Sequence, residues 1–168
     1  MKFAPLTVEE IAGSGGYTHR LDLSTADIPA GIAVNTAYTW NLPPLPAMPL
    51  YTVVRRVLLC LTTTFKVIPN DAGFTTSTFS VGDNALATRY ISAVEINENG
   101  TEVIDTTPGG AQDFVYTTAG QLQCTLNSMA AKTISSLNSG KLYVLFQIDK
   151  TRAQSRVAAP PFAAGGYT

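Results

Sequence analysis

The sequence is poor in the residues that build most enzyme and metal sites. Its 168 residues include one histidine, His19, and two cysteines, Cys60 and Cys124, which lie far apart in the chain. A zinc site needs about four nitrogen or sulfur ligands, and nucleophilic catalysis needs a base beside a serine, cysteine or threonine. We therefore predict a protein that is not an enzyme and that has no catalytic residues, no bound metal and no cofactor.

Charge is also scarce. Charged residues make up 14 % of the chain, against roughly 25 % in typical soluble domains, and the net charge is -1. This composition gives no electrostatic basis for binding nucleic acid or an anionic membrane. No apolar run approaches the about 18 residues of a transmembrane helix, and Glu9 and Glu10 interrupt the stretch where a signal peptide would be apolar. We expect a protein made in a cytoplasm, with a surface that is largely uncharged or covered by other chains.

Both cysteines lie in apolar, strand-like stretches, LLCLT around Cys60 and LQCTL around Cys124. Such stretches favour buried free thiols, and a disulfide would require the two strands to be neighbours. We predict that both thiols are reduced in the native protein, so that titration after denaturation without reductant finds two of them.

What the chain has instead is a series of short stretches that alternate apolar and polar residues. Glycine, proline and asparagine separate them, as turns separate strands. The predicted strands are 17–23, 34–40, 51–68, 74–81, 90–96, 114–118, 122–126 and 142–148. The stretch Thr75 to Thr101 would form a strand, a tight turn at Gly82-Asp83, a short turn-like or helical segment and a second strand. Residues 51–68 would form a hairpin with 74–81. We predict an all-β fold, an antiparallel β-sandwich of the jelly-roll type, over residues 17–150.

Both ends of the chain are predicted to be extended arms. Gly13, Gly15 and Gly16 indicate a flexible end to an N-terminal arm, residues 1–16. The C-terminal arm, residues 151–168, combines small alanines with two prolines, which limit the unfolded ensemble, and two aromatic residues suited to anchoring an interface. Its candidate partner-binding residues are Arg152, Arg156, Pro160, Pro161, Phe162 and Tyr167. The alternative is a tail that contacts nothing.

Two other groups of residues are candidates for a functional site. Glu95, Glu98, Glu102 and Asp105 cluster in sequence and offer carboxylates for acid–base work or calcium, but they surround a turn, which favours a solvated hairpin end. Trp40, Tyr38 and Tyr143 are candidate stacking aromatics of a carbohydrate-binding sandwich. His19 shares a strand face with Leu21, which favours a hydrogen-bonded histidine at the rim of the core.

A set of short signals resembles the decoration, or cement, proteins of tailed-bacteriophage heads. The signals are Val34 to Ala37, Thr64-Phe65, Ser80 to Asp83, Tyr90-Ile91, Tyr116 to Ala119 and Leu137 to Leu142. The resemblance implies a β-sandwich that binds the outer capsid surface, links major capsid protein subunits and associates with itself as a homodimer or homotrimer. It implies no catalytic residues and a place in the virion after synthesis in the host cytoplasm. A tail or head–tail connector module is the alternative within virion proteins.

Overall fold

The computed structural model describes residues 1–42, 52–69, 77–97, 103–105, 113–127 and 131–150. These ranges hold ten strands and one α-helix, α1 (Val8–Gly13). The strands are β1 (Lys2–Pro5), β2 (His19–Ser24), β3 (Tyr38–Asn41), β4 (Thr52–Lys66), β5 (Thr78–Asp83), β6 (Ile91–Glu95), β7 (Val103–Asp105), β8 (Phe114–Val115), β9 (Leu122–Asn127) and β10 (Ser139–Lys150). No helix of the described ranges is long and apolar enough to cross a membrane.

The strands form two antiparallel sheets. The large sheet has the order β1-β2-β10-β4-β7, with β8 also paired to β4, and the small sheet has the order β3-β9-β5-β6. Strands β4 and β10 are the longest and pair along almost their whole length, from Ser139 opposite Lys66 to Lys150 opposite Thr52. This pair forms the centre of the large sheet.

The core lies between the sheets. Alternate residues of β10, Leu142, Val144 and Phe146, are fully buried, as the period of two in their sequence predicts. The small sheet contributes buried residues from β5 and β9 in the same way. The predicted all-β sandwich is therefore confirmed.

The predicted hairpin between residues 51–68 and 74–81 is wrong. Strand β4 lies in the large sheet, between β10 and β7, and β5 lies in the small sheet, between β9 and β6. Two amphipathic strands in succession have the same pattern whether they pair or face each other across a core. The strand–turn–strand arrangement predicted from Thr75 to Thr101 is observed as β5 and β6, which pair with Thr78 opposite Glu95. Gly82 and Asp83 end β5 rather than form the turn.

The first residues are not an extended arm. Strand β1 pairs with β2 along the edge of the large sheet, and Phe3 is buried in the core. Helix α1 begins with a capping box, in which the Thr7 side chain accepts from the Glu10 backbone and the Glu10 side chain accepts from the Thr7 backbone. The glycines after the helix suggested a flexible segment. Instead, the burial of Phe3 holds β1 against the core, and the capping box stabilises the beginning of α1. The C-terminal arm, residues 151–168, lies outside the described residues.

The second predicted strand, Val34 to Trp40, is shorter in the structure. Strand β3 begins at Tyr38, and Val34 lies in a turn before it. Asn35 has a φ of 60°, in the left-handed region that asparagine tolerates better than most residues. The Val34-Asn35 turn therefore lies before the first residue of β3 and not within the strand.

Candidate functional site

At one end of the sandwich, a buried ionic network joins the two sheets. Strand β5 of the small sheet ends there at Asp83, and the loop of residues 84–90 follows it. From the large sheet, β8 leads into Tyr116, whose backbone N–H donates to the Thr52 carbonyl at the beginning of β4. Asp83 and Tyr116 meet between the sheets.

The carboxylate of Asp83 is the centre of this network, and only 2 % of Asp83 is exposed. It accepts hydrogen bonds from the backbone N–H of Ala85 at 3.0 Å and of Leu86 at 2.8 Å. Arg89 donates from Nε at 2.5 Å and from a terminal nitrogen at 3.3 Å, and the Tyr116 hydroxyl donates at 2.9 Å. Both carboxylate oxygens are therefore engaged by groups that hold the loop in place.

Two tyrosines extend the network into the core. The Tyr90 and Tyr116 hydroxyls are 2.8 Å apart. Because Tyr116 donates its proton to Asp83, Tyr90 is the donor between the two tyrosines, which gives the chain Tyr90 to Tyr116 to Asp83. A continuous chain of this kind satisfies each buried hydroxyl, which would otherwise be costly to bury.

Aromatic packing surrounds the ion pair. The Arg89 guanidinium carbon lies 4.0 Å from the centre of the Phe114 ring, within the range of a cation–π contact. Phe114 contacts Tyr116 edge to face at a centroid distance of 5.1 Å. A cavity of about 130 Å³ adjoins this cluster and is lined by Asp83, Asn84, Ala85, Arg89, Phe114, Tyr116 and residues 117–120.

The environment shifts the pKa values of all the ionisable groups in the network. Burial alone would raise the pKa of Asp83, but hydrogen bonds from Arg89, the Leu86 backbone and Tyr116 outweigh it and hold the pKa below its ordinary value. The hydrogen bond to Asp83 raises the pKa of Arg89. Burial, reinforced by the Asp83 charge, raises the pKa of Tyr90 and of Tyr116. The stable state is a charged ion pair with two neutral tyrosines.

Two glycines let the loops pack this closely. A Cβ on Gly82 would lie 2.2 Å from the Leu86 carbonyl oxygen, and a Cβ on Gly120 would lie 2.3 Å from the Tyr116 ring. Neither distance is compatible with a side chain, so each loop folds directly over a glycine. The loops also bond to each other, because Asn84 N–H donates to the Gln121 carbonyl at 3.0 Å and Gln121 N–H donates to the Asn84 side-chain oxygen at 2.9 Å.

The arrangement suits a structural role for the network. Its carboxylate is saturated by five hydrogen bonds, its cation is paired and its hydroxyls are bonded to each other. The Gly82-Asp83 and Tyr90-Ile91 signals were visible in the sequence. The roles of Arg89 and Tyr116 were missed, because nothing in the sequence pairs residue 83 with residue 116.

The acidic residues singled out in sequence do not form one site in the described chain. Glu95 lies on β6 of the small sheet and accepts from the backbone N–H groups of Ser77 at 2.7 Å and Asn97 at 2.8 Å. Asp105 lies on β7 of the large sheet, opposite Leu58. Glu98 and Glu102 lie outside the described residues. Within the described ranges, no group of three or more His, Cys, Asp and Glu residues is placed to hold a metal ion.

The candidate stacking aromatics and His19 have other contacts. Trp40 is 6 % exposed and packs edge to face with Tyr38 at 4.9 Å, and the Arg20 guanidinium lies 4.3 Å from the centre of the Tyr143 ring. His19 is half-buried, stacks on Phe3 at 5.5 Å and has its Nδ1 2.9 Å from the Thr18 hydroxyl. Each of these side chains therefore contacts another residue of the same chain.

The two cysteines are buried free thiols, as their strands predict. Cys60 belongs to β4 of the large sheet and Cys124 to β9 of the small sheet, so the two strands are not neighbours. Burial raises the pKa of the Cys124 thiol. The six candidate partner-binding residues, Arg152, Arg156, Pro160, Pro161, Phe162 and Tyr167, lie outside the described residues.

The fold and the buried network define the chain as an all-β sandwich with one end held by an ionic cluster. No protein-family model matches the chain, and no curated protein does. A chain in the solved structure of the cyanophage Pam1 capsid asymmetric unit is similar to it, with a TM-score of 0.44 and 16 % identity. The match covers 76 % of this chain and 79 % of that one.

Proposed function

We propose that the protein is a structural component of a phage virion that binds the outer surface of the capsid. In this role it stabilises the shell by linking major capsid protein subunits. It acts without a catalytic site, a metal or a cofactor, and it associates with itself as a homodimer or homotrimer. The short sequence signals that resemble phage-head decoration proteins support the proposal. The buried ionic network supports it as well, because its arrangement suits a structural role.

The observation that carries the proposal is the outer face of the large sheet. An antiparallel sheet with one face in water normally has polar residues on that face. Here Leu145 points outward from β10 and Leu58, opposite it, points outward from β4. Tyr143 also points outward, with the Arg20 guanidinium over its ring and residues around α1 beside it. All three are only half-buried. An apolar patch on an exposed sheet face is a candidate contact surface for another chain.

The test uses phage heads that lack the protein. The purified protein is mixed with empty heads, and both co-sedimentation and the melting temperature of the heads are measured. We expect saturable binding and a higher melting temperature, because a ligand that binds only the assembled shell stabilises it. Heads already saturated with the protein are the control and should take up no more.

Absence of binding to empty heads would refute the capsid role. Binding to isolated tails or connectors instead would favour the alternative virion module. Light scattering on the free protein tests self-association, and a monomer at all concentrations would refute that part of the proposal.

A further inference from the structure

We propose that the protein forms a two-fold symmetric dimer through the outer face of the large sheet, so that a second copy of this chain covers Leu58, Tyr143 and Leu145. The inference rests on the proposed function and names the chain that binds this face. It also provides a way to link subunits, because a two-fold dimer presents each of its remaining surfaces twice and can bind two capsid subunits at once.

The first argument is the row of outward side chains on β10. Each register shift between β4 and β10 is an extra residue of β4, so β10 alternates without interruption. Its outward residues are Lys141, Tyr143, Leu145, Gln147 and Asp149, which alternate with inward residues of the core. Leu145 is the centre of this row, with Lys141 four residues before it and Asp149 four residues after it. Each charged residue therefore lies about 13 Å from the apolar centre.

The two ends of this row differ in charge. Lys141 is exposed, and no acidic side chain of the described residues lies within ion-pair distance of it. At the other end, the Arg55 guanidinium pairs with both Asp149 and Asp113. One cation shared by two carboxylates leaves one negative charge uncompensated. The row is therefore positive at one end, apolar in the middle and negative at the other end.

Such a row is complementary to a second copy of itself. A two-fold axis that runs across the strands at Leu145 places β10 of the second copy against β10 in the opposite direction. Leu145 then faces Leu145 of the second copy, and Lys141 faces Asp149 of the second copy twice, once from each chain. An interface built from the same patch on both subunits requires this kind of self-complementarity.

Charge also selects this arrangement against the other face-to-face one. A two-fold axis that runs along the strands would bring the two Lys141 ends together and the two Asp149 ends together. Like charges that face each other at an interface cost several kcal/mol, whereas opposite charges attract. The row on β10 therefore specifies the antiparallel arrangement of the two chains.

The apolar centre of the face remains accessible in the single chain. Helix α1 lies beside it, and an open cavity of about 360 Å³ separates Glu10 and Gly13 of the helix region from Tyr143 and Leu145 on β10. At the edge of the face, Arg20 and Asp22 form an exposed pair that neutralises itself. An apolar centre with a polar rim is the usual composition of an interface between two chains.

The experiment reverses the charge at each end of the row separately, as Lys141→Glu and Asp149→Lys. In the second variant Arg55 keeps its pair with Asp113. The dissociation constant of the dimer is measured by analytical ultracentrifugation of the free protein, and circular dichroism checks folding. We expect the unchanged protein to dimerise and each variant alone to associate at least about tenfold more weakly, because like charges would face each other twice. An equimolar mixture of the two variants should restore dimers, since the facing charges are then opposite in both places.

A third variant tests the apolar centre. Leu145→Asp should abolish the dimer, because it places two facing charges in the middle of the contact. The matched control is Val34→Asp, since Val34 is 52 % exposed and lies in the turn before β3, away from the large sheet. The control variant should dimerise like the unchanged protein.

A monomer or a trimer of the unchanged protein would overturn the inference. So would folded charge variants that dimerise normally when alone, a mixture that stays monomeric, or an equal loss of dimer in the Val34 variant. Binding to empty heads is measured separately by co-sedimentation. A dimer that does not bind heads would overturn the proposed capsid role and leave the dimer in place.

Discussion

Asp83 joins the two sheets because its carboxylate accepts from a loop of the small sheet and from a tyrosine of the large one. Its value to the fold depends on being paired. A buried ion pair adds little over apolar packing, but removing one partner leaves the other charge buried and uncompensated. We therefore expect that breaking a buried arginine–aspartate pair lowers the stability of this protein much more than breaking an exposed one.

Replacement of Arg89 by methionine should destabilise the protein by about 3 kcal/mol, the lower end for breaking a buried pair, because Asp83 would stay buried without its cation. Arg20→Met is the matched control, since the Arg20–Asp22 pair has side chains 42 % and 38 % exposed. Exposed pairs contribute less than about 1 kcal/mol. Urea unfolding measures both variants, and equal losses would contradict the proposed role of burial.

Asp83 also makes stability depend on pH in a definite direction. Its pKa in the folded protein is below the ordinary value of 3.8, so the unfolded chain takes up the proton more readily. Its stabilising contribution is complete above pH 3.8 and is lost as the pH falls through the folded pKa. Urea unfolding of the unchanged protein and of Asp83→Asn should therefore show a gap in unfolding free energy that narrows with acidification. A gap that stays constant or widens would show that the Asp83 pKa is not lowered.

The loop between β5 and β6 depends on the absence of a side chain at position 82. Gly82→Ala should cost about 1–3 kcal/mol, the range for overpacking, because the new Cβ would collide with the Leu86 carbonyl. Gly13→Ala is the control: nothing lies within 4 Å of a Cβ there, and alanine favours helix α1. The melting temperatures of both variants test this prediction. A Gly82 variant as stable as the Gly13 variant would show that the loop does not need a glycine at position 82.

Sequence patterns predicted where the strands lie in the chain better than which strands pair with each other. The strict alternation of Leu142 to Ile148 and the apolar run of β4 identified the two central strands, since burial of one face imposes a period of two. Pairing of β4 with β10 rather than with β5 could not be predicted, because it depends on contacts between residues about 80 positions apart, such as Leu142 with Leu61. The network around Asp83 was hidden for the same reason, as its loop and Tyr116 come together only in the folded sandwich. Helix α1 was not predicted, although Thr7 and Glu10 have capping-box spacing.

At the scale of the whole molecule, the proposed capsid role would require the protein to link subunits, and a sandwich of this size offers a limited contact area. A standard interface buries about 1,600 Å² in total, and a further chain segment adds area at the cost of ordering it.

Deletion of Val157 to Thr168 separates the sandwich from its predicted arm. The deletion removes Pro160, Pro161, Phe162 and Tyr167, and aromatic residues of this kind are common anchors of interfaces. All the core residues named above lie before Lys150, so we expect a nearly unchanged melting temperature together with at least several-fold weaker binding to empty heads. Phe162→Ala and Tyr167→Ala in the full chain serve as finer variants, with Ala163→Ser as a control that leaves both aromatics in place. A truncated protein that binds heads with unaltered affinity would show that residues 157–168 do not contribute to binding. The contact with the heads would then have to be made by the sandwich.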